Sequence, residues 1–319
     1  PPGAHIKGLF CPAHALTNNS RFLWMMMART ATRGDFGDIF KIPVRMIVAL
    51  PFHVRADRSI CIPMKQLFSI IMVCFLAGPA AANCVVLLHG LARTEASFAL
   101  METVLEVEGF TVVRPGYAST KATISELADE TIPKAVAACP EGEIHFVTHS
   151  MGGILVRDWL SRNKLENLGR VVMLAPPNQG SEVIDTFAGL YLFDQINGPA
   201  ASQLGTGDRS LPLALPAVDY PVGVIAGNQS LNVYFSALLP GFDDGKVSVS
   251  STVVKGMMDH ITLPVTHTFM MNNPSVITET LVFLQTGAFD PSISWADALL
   301  ERFGCEGGDC LKGRRSVER

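Results

Sequence analysis

The amino-acid sequence predicts an α/β fold with a mostly parallel central sheet and helices on both of its faces. Short apolar segments, typical of buried strands, alternate with longer segments in which apolar residues recur every three or four positions, as in amphipathic helices. Strands and helices that alternate at this spacing form βαβ units and therefore a parallel sheet. With 319 residues, 48% of them hydrophobic, the chain can bury one large α/β core or two small ones.

The predicted elements follow one another in a regular order. The first half alternates between strands at 84–88, 111–114, 144–148 and 170–174 and helices at 96–108, 123–139 and 151–163. The second half contains strands at 222–227 and 262–265 and a closing helix at 276–283. Between them, at about 176–220, proline, glycine, asparagine and glutamine accumulate, so the alternation is interrupted there.

The turn between the strand at 144–148 and the helix that follows has the layout of a nucleophile elbow. In such a turn a serine hydroxyl is pushed out of the sheet, and small neighbours allow the two backbones to approach. Here the serine is Ser150, preceded by His149 and followed by Met151, and Gly152 holds the second small position. Thr148 stands where the G-x-S-x-G pattern has its first glycine. Because many isolated serines are helix N-caps, the interpretation depends on the rest of the chain.

Three further segments contain the residue types that a serine nucleophile needs. A strand runs directly into His89-Gly90-Leu91, where backbone N–H groups can bind a developing oxyanion. Asp244 offers a carboxylate on a turn, and His267 offers a base 23 residues later. Strand–His-Gly, Ser, Asp and His follow one another in this order along the chain.

On these motifs, the chain resembles the α/β-hydrolase superfamily, in particular small bacterial secreted lipases and esterases. The resemblance extends roughly from residue 84 to residue 287. It implies an α/β-hydrolase domain at 83–290 with a short cap or lid at about 176–220, for which an ordinary surface excursion is the alternative. It also implies a catalytic triad of Ser150, Asp244 and His267, with oxyanion donors at the N–H groups of Leu91 and Met151.

Several residues compete for these roles. His260 and His149 are alternatives to His267 as the base, although the ring of His149 should point away from a neighbouring serine on a sharp turn. Asp243 is the alternative to Asp244. We expect His89, Gly90, His149 and Gly152 to support the site, with His89 fixing the oxyanion loop by a hydrogen bond to the backbone.

The implied activity is the hydrolysis of carboxylic esters through an acyl-enzyme intermediate. Apolar residues expected near the cleft (Leu91, Met151 and, from the interrupted segment, Phe187, Leu190 and Leu192) favour an acyl chain over a charged substrate. An acyltransferase, a thioesterase or an amidase with the same triad remains the alternative, and a non-catalytic exported binding protein is a further one. We expect a small ester or lipid as the partner, transient contact with lipid surfaces, and neither a metal nor an organic cofactor.

Charge and the N-terminal segment bear on location. Residues 83–319 carry 16 Lys/Arg and 26 Asp/Glu, and this acidic balance argues against nucleic acid as a partner.

Residues 64–82 resemble a signal peptide, with a lysine, an apolar core of about ten residues and an A-x-A site at Ala80 and Ala82. We therefore expect export to the periplasm or beyond, translation from Met64, no domain at 1–63 and a C-terminal tail at 291–319.

Four cysteines follow residue 82, and an even number in an exported protein favours two disulfides over a zinc site. Cys305 and Cys310 can close a small loop, so Cys84 is expected to pair with Cys139.

Overall fold

The computed structural model describes residues 83–187 and 190–292, without the side chains of 191–195. The expected signal peptide at 64–82, the segment 1–63, the tail beyond residue 292 and the Cys305–Cys310 pair lie outside these residues. No helix in the described part of the chain is long and apolar enough to cross a membrane.

Six parallel strands form one sheet in the order β2-β1-β3-β4-β5-β6. The strands are β1 (Cys84–Leu88), β2 (Thr111–Val113), β3 (Ile144–His149), β4 (Leu168–Leu174), β5 (Val222–Gly227) and β6 (Asp259–Leu263). The inner strands are buried on both faces, which explains why their sequences are continuous apolar runs rather than alternating ones.

Four helices cover the two faces of the sheet. They are α1 (Ala99–Val107), α2 (Ile124–Ala137), α3 (Met151–Arg162) and α8 (Pro274–Thr286). Alternate residues of β1 belong to two separate apolar clusters, one shared with α2 and α3 and the other with α1 and α8. The predicted parallel sheet with helices on both faces is therefore confirmed.

The segment between β4 and β5 contains three short helices: α4 (Glu182–Phe187), α5 (Tyr191–Ala201) and α6 (Leu211–Ala214). A further short helix, α7 (Val233–Ser236), lies in the loop after β5. The helices α4, α5 and α6 are the elements that the interrupted alternation at 176–220 could not define.

Several boundaries differ from the sequence prediction by one to three residues; β4 begins at residue 168 rather than 170, and the closing helix is Pro274–Thr286 rather than 276–283. The predicted helix at 96–108 is divided into a 3-10 turn at Glu95–Phe98 and the helix α1. The last strand, predicted at 262–265, is β6 at Asp259–Leu263, and this prediction was wrong by about three residues. Among the described strands β6 pairs with β5 alone and is partly exposed, so its sequence has no apolar run that marks its start.

A disulfide joins Cys84 at the start of β1 to Cys139 after α2, as the cysteine pattern predicts. Their Cα atoms are 5.7 Å apart and the two residues are separated by 55 positions in the chain. The bond ties the central strand to a helix that packs on the sheet.

The strand order has a functional consequence. The chain moves outward from β1 to β2 and then returns to place β3 on the other side of β1. Open α/β sheets bind ligands in the crevice at the carboxyl ends of the strands where the order reverses. The loops after β1 and β3, which contain His89-Gly90-Leu91 and Ser150, meet at this position.

Candidate active site

Ser150 occupies a strained turn between β3 and α3. Its backbone has φ 54° and ψ −122°, a conformation that costs a non-glycine residue about 1–3 kcal/mol. The Ser150 N–H donates to the carbonyl of Leu174 at 2.8 Å, which fixes the turn against β4. This is the strand-turn-helix geometry that presents a serine hydroxyl above the sheet.

The close approach of α3 to β1 requires a glycine at position 152. A Cβ built on Gly152 would lie 2.4 Å from the carbonyl oxygen of Leu88. On the other side of the turn, a Cβ on Gly90 would lie 2.9 Å from His149 Nδ1 and 3.1 Å from the Ser150 Cβ. The two glycines allow the loops after β1 and β3 to touch.

Gly153 leaves room for the side chain of Thr148, and this explains how the turn tolerates a threonine in place of the first glycine of G-x-S-x-G. Thr148 is fully buried, and a Cβ on Gly153 would lie 3.2 Å from its Oγ1. Glycine at 153 therefore provides the space that glycine at 148 would otherwise provide.

Asp244 and His267 form a buried pair. His267 Nδ1 lies 2.8 Å from Asp244 Oδ2. Asp244 Oδ1 accepts the backbone N–H groups of Lys246 at 3.0 Å and Val247 at 2.9 Å. Because an ionised carboxylate only accepts, Nδ1 of His267 carries the proton and Nε2 is left as the basic nitrogen.

The competing residues have other partners. His260 lies on β6 with Nε2 2.8 Å from Thr252 Oγ1. Asp243 Oδ1 accepts the Ser236 hydroxyl at 2.8 Å and the Gly245 N–H at 2.7 Å, so this carboxylate stabilises its own loop. Neither residue lines the cavity that contains Ser150.

His149 holds the loop of His267. Its Nε2 lies 3.0 Å from the His267 carbonyl oxygen, which can only accept, so Nε2 is the protonated nitrogen. The two rings are 4.7 Å apart. Burial lowers the pKa of His149 well below its ordinary value, and the charge of protonated His267 lowers it further. A neutral His149 therefore supports the base without competing with it for a proton.

Tyr117 fixes the loop His89-Gly90-Leu91, which is expected to bind the oxyanion, by contacts to His89. The Tyr117 ring stacks on His89 at 3.9 Å, and its hydroxyl donates to the His89 carbonyl. His89 Nδ1 lies 2.9 Å from the carbonyl oxygen of Gly90, the backbone contact expected for this residue. Burial lowers the pKa of His89. Tyr117 lies four residues after the end of β2, and no motif in the sequence marks this role.

Leu91, one of the two expected oxyanion donors, lines the cavity of Ser150, and the other, Met151, directly follows Ser150 in the chain. Met151 is the first residue of α3, where a backbone N–H has no acceptor within the helix. No acceptor for the Leu91 N–H is found among the residues that the structure describes. The side chain of Met151 itself is fully buried in the core and does not line the cavity, contrary to the expectation from sequence.

A cavity of about 320 Å³ opens above Ser150 and His267. Its walls combine apolar side chains from α4, α7 and the adjoining loops with a few polar ones. The residues that line it include Leu91, Arg93, Val183, Phe187, Phe235 and Lys246. Phe187 lines it as predicted, whereas Leu190 is 55% exposed and does not, and the side chain of Leu192 lies outside the described residues.

Within residues 83–187 and 190–292, no group of three or more histidine, cysteine or acidic side chains is arranged to hold a metal ion.

Comparisons with known proteins agree with this architecture. The mature lipase BlEst2 of Bacillus licheniformis superimposes with a TM-score of 0.52 at 18% identity, over 66% of this chain and 93% of that one. The phospholipase PlaB of Legionella pneumophila superimposes with a TM-score of 0.50 at 18% identity, over 66% of this chain and 60% of that one. Both likenesses concern the fold. A search of curated proteins finds no match.

The family model described as "Alpha/beta hydrolase family" matches residues 85–302, more than half of the chain. This match supports hydrolase activity. It covers the sheet, the strained serine and the Asp–His pair, and the chain belongs to the alpha/beta hydrolase family.

Proposed function

We propose that this protein is a serine hydrolase that cleaves carboxylic esters with apolar acyl chains. The observation that supports this best is the buried Asp244–His267 pair, whose ring lines the same cavity as the strained Ser150. An unassisted serine hydroxyl is a weak nucleophile, and a base oriented by a carboxylate is the arrangement that activates it.

In the proposed reaction, Ser150 Oγ attacks the ester carbonyl while its proton passes to Nε2 of His267. The negative charge that develops on the carbonyl oxygen is bound by the N–H groups of Leu91 and Met151, and one such donor is worth about 3 kcal/mol. The tetrahedral intermediate collapses, and the alcohol leaves with the proton held by His267. A water molecule then releases the acid by the same route in reverse and restores Ser150.

Asp244 orients the base throughout. Its bond to Nδ1 keeps the lone pair on Nε2 and stabilises the imidazolium that forms in each step. The pKa of His149 is low, so His149 stays neutral beside this imidazolium and adds no second positive charge.

The apolar part of the cavity would hold the acyl chain. Val183, Phe187 and Phe235 form this wall, and the volume of about 320 Å³ falls at the lower end of the range for small-molecule sites. We infer that the segment at about 176–220 is the cap over the site.

Two measurements test the activity. A fluorophosphonate probe should label the protein at Ser150, and labelling should be lost in Ser150→Ala and in His267→Ala while His260→Ala keeps it. p-Nitrophenyl esters should be hydrolysed with kcat/KM rising from acetate towards octanoate. Labelling that survives His267→Ala would move the base to another histidine, and a folded parent that reacts with neither probe nor esters would exclude a serine hydrolase.

The alternatives with the same triad need a separate measurement. If the rate with added alcohols exceeds the rate with water at equal acyl donor, the protein is an acyltransferase. Thioester and amide analogues of the best ester separate a thioesterase or an amidase.

We also propose export and transient contact with lipid surfaces. The Cys84–Cys139 disulfide is compatible with an oxidising compartment. Exposed apolar side chains cluster in the loop of the cavity-lining Phe235, and they are Leu231, Val233, Tyr234 and Phe242. Intact-mass analysis of the protein from its native host tests cleavage after Ala82, because a mature form that retains residues 64–82 would exclude it.

A further inference from the structure

Two cationic side chains converge on the cavity of Ser150 from different loops. Arg93 follows the oxyanion loop after β1, and Lys246 follows Asp244 in the loop after β5. None of the lining residues that the structure describes is an aspartate or a glutamate. In a region that carries 16 basic and 26 acidic residues between 83 and 319, this concentration of positive charge requires an explanation.

Neither cation forms a close ion pair with a neighbouring carboxylate. No ion pair involving Arg93 or Lys246 occurs among the described residues. The Arg93 guanidinium donates to the Thr268 carbonyl at 3.1 Å, a contact that uses one of its donors and leaves the rest of the planar group available.

Asp244 is the acid nearest in sequence to Lys246, but its carboxylate already accepts hydrogen bonds from other groups. It is buried, and it accepts two backbone N–H groups on one oxygen and faces His267 with the other. It forms no ion pair with the Lys246 ammonium among the described residues, so its charge acts on Lys246 only from a longer distance.

The two positive charges act on each other. The Lys246 side chain is exposed overall, yet the protein around its ammonium lowers its pKa by reducing hydration. The charge of Arg93 lowers this pKa further, and the charge of Asp244 opposes the decrease without cancelling it. Two like charges that the distant Asp244 only partly offsets raise the energy of the unliganded site. An anion bound between them would relieve this repulsion and gain charge-assisted hydrogen bonds, for which a guanidinium is well suited.

We propose that Arg93 and Lys246 form an anion subsite beside Ser150, and that the substrates are esters carrying a phosphate or carboxylate close to the scissile bond. This inference rests on the proposed ester hydrolysis and names its substrate class. It differs from the expectation of an uncharged substrate that the apolar residues near the cleft favour. The apolar wall accounts for the acyl chain, and the two cations account for a charged group on the alcohol side.

Three esters that share one acyl chain test the subsite: 1-octanoylglycerol, 1-octanoylglycerol 3-phosphate and 3-octanoylglycerate, all below their micellar concentrations. The readout is the ratio of kcat/KM for each anionic ester to that for the neutral one. We expect a ratio of at least tenfold in the parent, reduced to below threefold in Arg93→Gln/Lys246→Gln. The phosphate and carboxylate arms show which anion the subsite prefers.

Lys255→Gln is the matched control. It removes the same charge from an exposed lysine nine residues along the chain that does not line the cavity. We expect this variant to keep the parental ratio. A parent that treats all three esters alike, or a double variant that keeps the anionic preference, would overturn the proposal.

Binding of octyl phosphate measures the subsite without catalysis. Isothermal titration should give one site whose Kd weakens at least tenfold in the double variant and in 0.5 M NaCl, with octyl glucoside as the neutral comparison. If no ester is hydrolysed but octyl phosphate binds in this way, the proposed function fails and the anion subsite stands. If esters are hydrolysed but octyl phosphate binds no better than octyl glucoside, the subsite fails and the proposed function stands.

Discussion

Replacing Asp244 with asparagine should disable the site while leaving the fold in place. In the native protein, Asp244 Oδ1 accepts two backbone N–H groups, at 3.0 and 2.9 Å, and Oδ2 lies 2.8 Å from His267 Nδ1. An asparagine oxygen must take the place of Oδ1, because those N–H groups need an acceptor. The amide NH₂ then faces His267, which must accept at Nδ1 and carry its proton on Nε2.

The expected cost follows from this change of tautomer. An imidazole protonated at Nε2 cannot take the proton of Ser150, and a tautomer error of this kind lowers kcat by about 10⁴. That loss corresponds to about 5.4 kcal/mol of transition-state stabilisation. The free energy of unfolding should fall by only about 1–2 kcal/mol, because each hydrogen bond keeps a partner and only its charge assistance is lost. Steady-state hydrolysis of p-nitrophenyl butyrate and urea unfolding measure the two quantities.

Asp243→Asn is the matched control for this experiment. Asp243 is the adjacent residue and is also buried, but its carboxylate accepts from Ser236 and Gly245 and not from His267. We expect kcat within about threefold of the parent, together with a similar small loss of stability. The reasoning is refuted if Asp244→Asn retains a tenth of the parental kcat, or if the two variants lose activity equally.

Three other outcomes follow from the structure. Gly152→Ala places a Cβ 2.4 Å from a carbonyl oxygen of β1, so it should cost about 1–3 kcal/mol of stability and most of the activity. The control Gly207→Ala, whose Cβ meets nothing within 4 Å, should change neither stability nor activity. Equal melting temperatures of the two variants would contradict this prediction. Removing the disulfide through Cys84→Ala/Cys139→Ala should lower the free energy of unfolding by about 4 kcal/mol, the loop-closure value for a separation of 55 residues, and chemical denaturation measures it. The pKa of His149 is lower in the folded protein than in the unfolded chain, so as the pH falls the unfolded chain binds the proton first. The free energy of unfolding should be constant above about pH 6.5 and fall below it by about 1.4 kcal/mol per pH unit for each such histidine. A flat profile from pH 7.5 to 5.5 would contradict the assignment of a neutral, buried His149.

The parts of the fold that could be predicted from sequence are those with local signals. Buried parallel strands are continuous apolar runs, and amphipathic helices show their period directly, so the alternation from residue 84 to residue 174 predicted the right elements. Ser150 could be named because a strand-turn-helix junction leaves a local pattern of small residues. The start of β6 could not be predicted, since an edge strand with one neighbour needs no apolar run.

Contacts between distant loops had no such signal. Arg93 and Lys246 are 153 positions apart, and only the sheet order brings the loops after β1 and β5 to the same cavity. Tyr117 was missed for the same reason, because its stacking on His89 depends on the pairing of β2 with β1. The composition of the acidic domain even pointed away from a cationic pair.

The base is held more firmly than the cavity wall that faces it. Three separate contacts fix its loop: His149 Nε2 to the His267 carbonyl, the Arg93 guanidinium to the Thr268 carbonyl, and the His267 N–H to the Asp244 carbonyl. They come from three different segments of the chain, so the imidazole is positioned before any substrate arrives, as electrostatic preorganisation requires. The acyl wall instead includes side chains from the short helices α4 and α7, in which Val183 is the one buried residue of the part that the structure describes. Adaptation to different acyl chains should therefore occur in that wall, while the geometry around Ser150 stays constant.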